Sequence, residues 1–409
     1  MKKIITQIVK FFIYIACYIV YPFSFLIPRT KEIYAYGSYR GAFNDNSKYL
    51  FIYANQHVKN KRHVWLTTSQ KTVQHVRSLG FEAYWLGSPV GMWLALRSKY
   101  WFVNSYTSDI LFFLSGGATV INLWHGVPMK CIEFTITKGE LAKRYVRKEI
   151  RDVFFHPASF RRPDYMVSTT DFFDDIFSRS FRIQKNQCLQ VGCPRNNMLQ
   201  LHKEEVEQFV NQYESVETQQ LIAKIKHYDR TYVYMPTWRD SQADIFANGF
   251  DLEELNRTLK EKNYLAIMKP HVNTRIDTGK QYTNLIFLDG GVDMYCILPF
   301  SDVLITDYSS VLYDYLLMPN KGILLFHYDY DEYVQEREFL FPIDEEITGK
   351  RVYSFAELLE AIVKSDDAVN ASERKRIIEK FWGDTIHKNA CEEILKFINS
   401  LNECKKKDI

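Results

Sequence analysis

The chain has 409 residues, 46% apolar and 25% charged, with a formal net charge of +3. That length exceeds one typical core and points to two domains, and the apolar share excludes a disordered chain. The near-balanced charge excludes nucleic acid as a bulk partner, and seven cysteines with no CxxC pair exclude a disulfide framework or a zinc site and fit a reducing compartment.

Lys2, Lys3 and Lys10 precede an apolar run from Phe11 to Ile27, interrupted at Pro22 and closed by Arg29 and Lys31. The run falls short of the ~20 residues a spanning helix prefers, and no small-residue cleavage site follows it. Its aromatics suit an interfacial belt, and its flanking cations suit an anionic leaflet. Residues 1–30 are therefore expected to form a helix lying on a membrane, peripheral and on the cytoplasmic face, with a buried N-terminal helix as the alternative.

From Glu32 onward short strands alternate with helices. Strands are predicted at Tyr34–Tyr36, His63–Leu66, Ala83–Leu86, Tyr100–Val103, Thr119–Trp124, Asp164–Ser168 and Leu189–Val191. Helices are predicted at Ser69–Leu79 and from Asp171, whose first turn is acidic. A long helix at Glu204–Lys226 opens the second half. Strands follow at Thr231–Met235, Tyr264–Met268, Leu285–Leu288, Val303–Ile305 and Gly322–Phe326. Helices intervene at Asp251–Lys262, Met294–Leu298 and Ser310–Leu317, and the end from Ala371 is largely helical. This pattern divides the chain into 31–200, 201–370 and a tail at 371–409, with two doubly wound α/β domains.

Four islands put polar or cationic groups directly after strand-like runs, where open α/β sheets carry ligands. They are Asn122–Lys130, Met235–Arg239, Lys269–His271 and Asp302–Ser310. Arg239 suits a bidentate hold on phosphate and Thr237 a hydrogen bond to it, with Asp240 the alternative partner for Arg239. Pro270 stiffens the exit of Lys269 and His271 from their strand. Asp307, Ser309 and Ser310 precede a helix, whose N-terminus favours anions; ordinary capping by serine explains part of the same pattern. Lys130 suits steering of a negatively charged ligand, or simple solvation. Asp329 and Asp331 form a nominal DxD that would suit Mg²⁺, although solvated acids or a helix cap account for it better. No resident cofactor or other metal is indicated.

These islands, with Gly37–Gly41, Asn44–Asn46 and Gly192–Asn196, resemble the CDP-glycerol glycerophosphotransferase family in order and spacing, from about Tyr34 to about Ile343. The resemblance implies a GT-B-like fold of two facing Rossmann-type domains, the N-terminal one for the acceptor and the C-terminal one for the CDP donor. It implies His125, freed by Gly126, as the base that activates the acceptor hydroxyl. It places His271 on the donor diphosphate, able to stabilise or protonate the leaving phosphate. Thr237, Arg239, Lys269, Asp307, Ser309, Ser310 and Arg195 are the expected donor and phosphate contacts, and Lys130 and Gly126 lie on the acceptor side. The implied partners are CDP-glycerol or another CDP-polyol, a lipid-linked saccharide acceptor and a membrane surface. The single module resembles primases more than long polymerases. A ribitol donor, a sugar transferase on the same fold, or a silent glycan-lipid binder are the alternatives. Asn197 stands where the family usually has Asp, Arg337–Phe339 reads Arg-Glu-Phe, and no Pro-Gly-Pro follows between Glu345 and Lys350.

Overall fold

Two parallel sheets organise the chain. The computed structural model describes residues 2–237, 250–269, 280–288 and 291–404. Arg239 and His271 therefore lie outside the described residues.

The first sheet has seven strands: β1 (Thr30–Tyr36), β2 (Arg62–Thr67), β3 (Ala83–Trp85), β4 (Ser98–Val103), β5 (Thr119–Asn122), β6 (Tyr165–Ser168) and β7 (Cys188–Gln190). Its order is β3-β2-β1-β4-β5-β6-β7. The second has six: β8 (Arg230–Tyr234), β9 (Tyr264–Met268), β10 (Leu285–Phe287), β11 (Val303–Thr306), β12 (Gly322–Phe326) and β13 (Lys350–Val352), in the order β10-β9-β8-β11-β12-β13. Every paired register is parallel. Parallel strands covered by helices on both faces read as continuous apolar runs, which is why Tyr100–Val103 and Gly322–Phe326 are buried throughout. Each sheet reverses its winding between two central strands, β1 and β4 in one, β8 and β11 in the other. Ligands of doubly wound sheets sit beyond the carboxyl ends of strands at that reversal.

The chain divides into two compact units. One comprises residues to His125, Ile132–Arg195 and those from Asp384; the other comprises Gly126–Cys131 and Asn196–Gly383. The helical tail is thus shared between them. Ala371–Phe381 stays with the second sheet, whereas Ala390–Cys404 packs in the first unit along the helix Asp45–His57. There Asn402 accepts from the Tyr100 hydroxyl at 2.6 Å.

Three elements differ from their sequence pattern. The segment Glu204–Lys226 forms two helices, Lys203–Tyr213 and Val216–Ile225, because Glu214 is extended and the Ser215 hydroxyl caps the second by accepting from Thr218 N–H at 3.3 Å. The helix after Ser310 is only Val311–Tyr315. The N-terminal helix runs over Lys2–Ser24, and Thr6–Ser24 is long and apolar enough by length and composition to cross a membrane. It is fastened to the first unit by aromatic packing. Tyr21 stacks on Phe112 at 4.6 Å, Tyr14 meets Phe155 edge-on at 5.2 Å, and the Tyr18 hydroxyl donates to the Phe154 carbonyl at 3.0 Å.

Candidate functional site

At the exit of β5 the chain makes a turn that the backbone does not favour. Trp124 has φ of 51°, and Gly126, at φ 112°, takes a conformation that side chains rarely adopt. Strain of this kind persists only where the surroundings over-determine it. Here Asn122 caps the turn through its Oδ1, which accepts from Trp124 N–H at 2.9 Å. Asn46, fully buried, donates its amide to the carbonyls of Leu123 at 3.2 Å and Trp124 at 2.9 Å. The Oδ1 of the same Asn46 accepts from Arg195 N–H at 3.0 Å. One guanidinium nitrogen of Arg195 donates to Asp45 at 2.8 Å and another to the His125 carbonyl at 2.8 Å. Three sequence islands thus converge on one turn and present His125.

The His125 ring is open to solvent and stacks on the Trp124 ring at 4.1 Å. Its Nδ1 lies 3.4 Å from the Asn104 carbonyl. A carbonyl only accepts, so Nδ1 carries the hydrogen and Nε2 keeps a free lone pair. Although the ring is reached by water, it stands amid dense protein, and desolvation is the largest influence on it, lowering its pKa from the ordinary 6.5. Asp45 pulls the pKa up and Arg195 pushes it down. The ring is therefore neutral at pH 7, the form a general base needs. Asn104 is itself fixed: its Oδ1 accepts from Ser47 N–H at 2.9 Å, its amide donates to the Ser38 hydroxyl at 2.9 Å, and its N–H donates to the buried Asp109 at 2.9 Å.

In the second unit the reversal point between β8 and β11 is closed by one carboxylate. Asp307, buried, accepts from Thr237 N–H at 2.8 Å and from Tyr308 N–H at 2.6 Å. The exits of the two central strands are so held together. Lys269, at the exit of the neighbouring β9, reaches the Val292 carbonyl at 3.4 Å. Ser309 and Ser310 are half-buried, and neither hydroxyl has a hydrogen-bond partner among the described residues. The helix they precede has five residues, too short for a sizeable dipole, and the Ser309 and Ser310 carbonyls accept from Leu312 and Tyr313 N–H. What the two serines offer an anion is therefore their hydroxyls.

The segment Gly126–Cys131 belongs to this second unit. It lies against residues 338–340: Cys131 N–H donates to the Glu338 carbonyl at 2.8 Å and Leu340 N–H to the Met129 carbonyl at 3.1 Å. Lys130 donates to the Tyr333 hydroxyl at 2.6 Å. Tyr333 in turn stacks on Tyr308 at 4.2 Å, and Tyr308 stacks on His327 at 4.9 Å. Lys130 is thereby tied to the loop that carries Ser309 and Ser310. Asp331 is exposed on the helix Tyr330–Glu336 that Asp329 precedes. Among the described residues one trio of potential metal-binding side chains lies together, Glu214, Asp293 and Cys296, and it does not include Asp329 or Asp331.

Residues 19–400 match the family of CDP-Glycerol:Poly(glycerophosphate) glycerophosphotransferases. This chain belongs to that family. It is 28% identical over 354 residues to the teichoic acid glycerol-phosphate transferase of Staphylococcus aureus, covering 84% of this chain and 86% of that one. It is 26% identical over 357 residues to the teichoic acid poly(glycerol phosphate) polymerase of Bacillus subtilis, covering 82% of this chain but 44% of the polymerase. The fold is similar to that of the wall teichoic acid polymerase TagF soaked with CDPG, with a TM-score of 0.73 at 21% identity over 93% of this chain and 91% of that one. The architecture is the GT-B type expected from the islands.

Within this glycerophosphotransferase, several residues that build the site carry no signal of their own in sequence. Asn104 is one amide in an aromatic strand end. Asn46 stands among the residues of the resemblance without any indication that it braces a turn some eighty residues away. His327 ends an apolar strand and reads as core. Its one sequence cue is position, at the carboxyl end of β12, beside the exit of β11.

Proposed function

We propose that this chain transfers glycerol phosphate from CDP-glycerol to a hydroxyl of a membrane lipid-linked saccharide or polymer acceptor, releasing CMP, in the synthesis of teichoic acid or a related envelope polymer. The observation that carries the reading is the His125 turn: an exposed, neutral imidazole with its Nδ1–H fixed on a carbonyl and its Nε2 free, in a chain of this family. Nε2 takes the proton of the acceptor hydroxyl as that oxygen attacks the β-phosphorus of the donor. The bond from that phosphorus to the bridging oxygen breaks, and CMP leaves with the electron pair. Such transfers depend on positioning and electrostatics more than on covalent chemistry.

Lys269, Thr237 and the Ser309 and Ser310 hydroxyls are assigned to the donor diphosphate. Arg239 and His271 are assigned there with them on the strength of the family pattern. Asp307 is assigned a different part from that expected. A carboxylate repels a diphosphate, and its hydrogen bonds to Thr237 and Tyr308 suit it to ordering the loops that do bind. Arg195 and Gly126 are assigned to holding His125 in place.

The exposed apolar side chains of the N-terminal helix, among them Phe12, Ile19 and Phe23, support attachment to a membrane, and the flanking lysines favour its cytoplasmic face.

The test is release of CMP by the pure protein in lipid nanodiscs, with a lipid-linked saccharide acceptor and CDP-glycerol, CDP-ribitol or nucleotide sugars as donors. Acceptor-dependent CMP release from CDP-glycerol is expected. Turnover of a nucleotide sugar, or none with any CDP-polyol, would sink the proposal.

A further inference from the structure

The first unit contains a cavity of about 510 Å³ that the mechanism above does not use. That volume is within the range of small-molecule sites, roughly 300–1,000 Å³. Tyr14, Cys17 and Tyr18 of the N-terminal helix line it together with Phe112 and Phe155. The lining is mostly aromatic and apolar. Its polar side chains include Ser108, His156, Ser159 and Arg144, and the Arg144 side chain is only 15% exposed. One nitrogen of that guanidinium lies 3.5 Å from Asp152, a long contact, and Nε has no partner among the described residues. A mostly buried guanidinium whose nearest carboxylate contact is this long suits an anion, phosphate above all.

Two further observations say what kind of anion. The surface around the cavity is apolar and cationic together: Phe12, Ile19 and Phe23 on the N-terminal helix and Ile150 beside Arg151 are exposed, and Lys10 sits 5.2 Å from the Phe155 ring. That combination favours a site fed from an anionic bilayer rather than from water. The cavity also shares a loop with the catalytic turn. Tyr106, which lines it, is two residues from Asn104, whose carbonyl holds His125. Two residues of chain span at most ~7 Å. Tyr39, another lining residue, follows Ser38, which accepts from the Asn104 amide at 2.9 Å.

We propose that this cavity takes the phosphate-proximal stretch of the lipid chain that anchors the acceptor, with Arg144 on its phosphate. The inference rests on the reading that the acceptor is lipid-linked, and it gives that acceptor a second point of attachment beside His125. An apolar chain held here would deliver the saccharide end to the His125 turn and keep successive acceptors at the membrane.

Cys17 lines the cavity and is half-buried, so its alkylation reports occupancy without any turnover. The full-length protein in nanodiscs is labelled with a maleimide, and the rate at Cys17 is read by peptide mass spectrometry. Farnesyl phosphate is expected to slow labelling, farnesol less so, and inorganic phosphate not at all. Arg144→Gln should weaken farnesyl phosphate protection about tenfold or more, the loss of a charge-assisted hydrogen bond. Ala158→Trp, which fills the cavity, should abolish it; if that variant does not fold, Arg144→Gln decides alone. No protection in the wild type, or equal protection by farnesol with no effect of Arg144→Gln, overturns the proposal. Protection by farnesyl phosphate in a protein that never releases CMP from CDP-glycerol would leave the lipid site standing and remove the transferase reading instead.

Discussion

Asp45 and Arg195 meet at 2.8 Å although 150 residues separate them, and the other arm of the same guanidinium donates to the carbonyl of His125. Both partners are largely buried, at 22% and 9% exposed side chain, so the pair is one whose loss leaves a charge without compensation. Lysine keeps the charge of arginine but not its fork. Arg195→Lys is therefore expected to lower kcat by about 10- to 100-fold through misplacement of the His125 turn, the scale of an ångström-sized error in geometry. CDP-glycerol affinity, measured by calorimetry, should stay near that of the wild type. A collapse of that affinity would place Arg195 on the diphosphate and remove it from the acceptor side.

His125→Gln keeps a side chain of similar reach without a base. Loss of a general base typically costs about 10²- to 10⁴-fold in rate. The pH profile is the sharper measurement. Because desolvation lowers the His125 pKa below 6.5, the base form persists into mild acid. The acidic limb of kcat/KM should lie below pH 6.5 in the wild type and vanish in His125→Gln. A limb unchanged by the substitution would assign the titration to another group.

How far the sequence shows all this depends on the kind of interaction. Strand exits are legible because apolar runs end abruptly in Gly, Pro and cations, and β9 and β12 fall on the expected residues. His125 is legible because Gly126 follows it. What holds His125 is not legible, because Asn46 and Asn104 act through amide hydrogen bonds with carbonyls, a backbone N–H and a hydroxyl 57 to 78 residues away, and backbone groups have no residue identity to read. The break at Glu214 escaped for a local reason: Ser215 sits in a run of helix formers, and its cap shows only in the extended backbone before it. The five-residue helix after Ser310 shows the same limit, since the apolar pattern continues past the point where the hydrogen bonds stop.

Ser309→Ala with Ser310→Ala tests the donor side. Their hydroxyls are half-buried at the exit of β11, next to the Asp307 bridge between the two central strands. Loss of hydrogen bonds to a charged group costs roughly 1.5–3 kcal/mol each, so CDP-glycerol should bind at least about tenfold more weakly. The maximal rate should fall less than the affinity. Wild-type affinity for CDP-glycerol in the double variant would move the donor away from this reversal point.

Arg29 sets where the N-terminal segment can be cut. Its guanidinium donates to the carbonyls of Gly116 at 2.7 Å, Ala95 at 2.9 Å and Ser98 at 2.7 Å, and also to that of Leu114. Its Cζ lies 5.6 Å from the Trp101 ring. Arg29→Ala leaves four half-buried carbonyls without this donor, a loss of about 2–4 kcal/mol after partial rehydration. The expectation is a lower urea midpoint at unchanged slope. A deletion that stops before Arg29 should lower the midpoint only by what the Tyr14 and Tyr21 packing contributes, and one that includes Arg29 should lower it further. Equal midpoints for the two deletions would show that the clamp is dispensable.

His327 is expected to make the second unit sensitive to acid. It is 2% exposed, stacked on Tyr308, with neither ring nitrogen hydrogen-bonded to a described residue. Burial is the largest of the influences that push its pKa down to about 4 from the ordinary 6.5. Between those two pH values the unfolded chain binds a proton at this residue that the folded chain does not. Stability from this group is thus complete above pH 6.5 and falls as the pH is lowered toward 4, by up to roughly 3 kcal/mol. His327→Phe keeps the stack on Tyr308 and cannot titrate. Urea unfolding followed from pH 7 to pH 4 should show a shallower loss of stability in His327→Phe than in the wild type. Parallel curves would mean that His327 titrates alike in both states and that the acid sensitivity arises elsewhere.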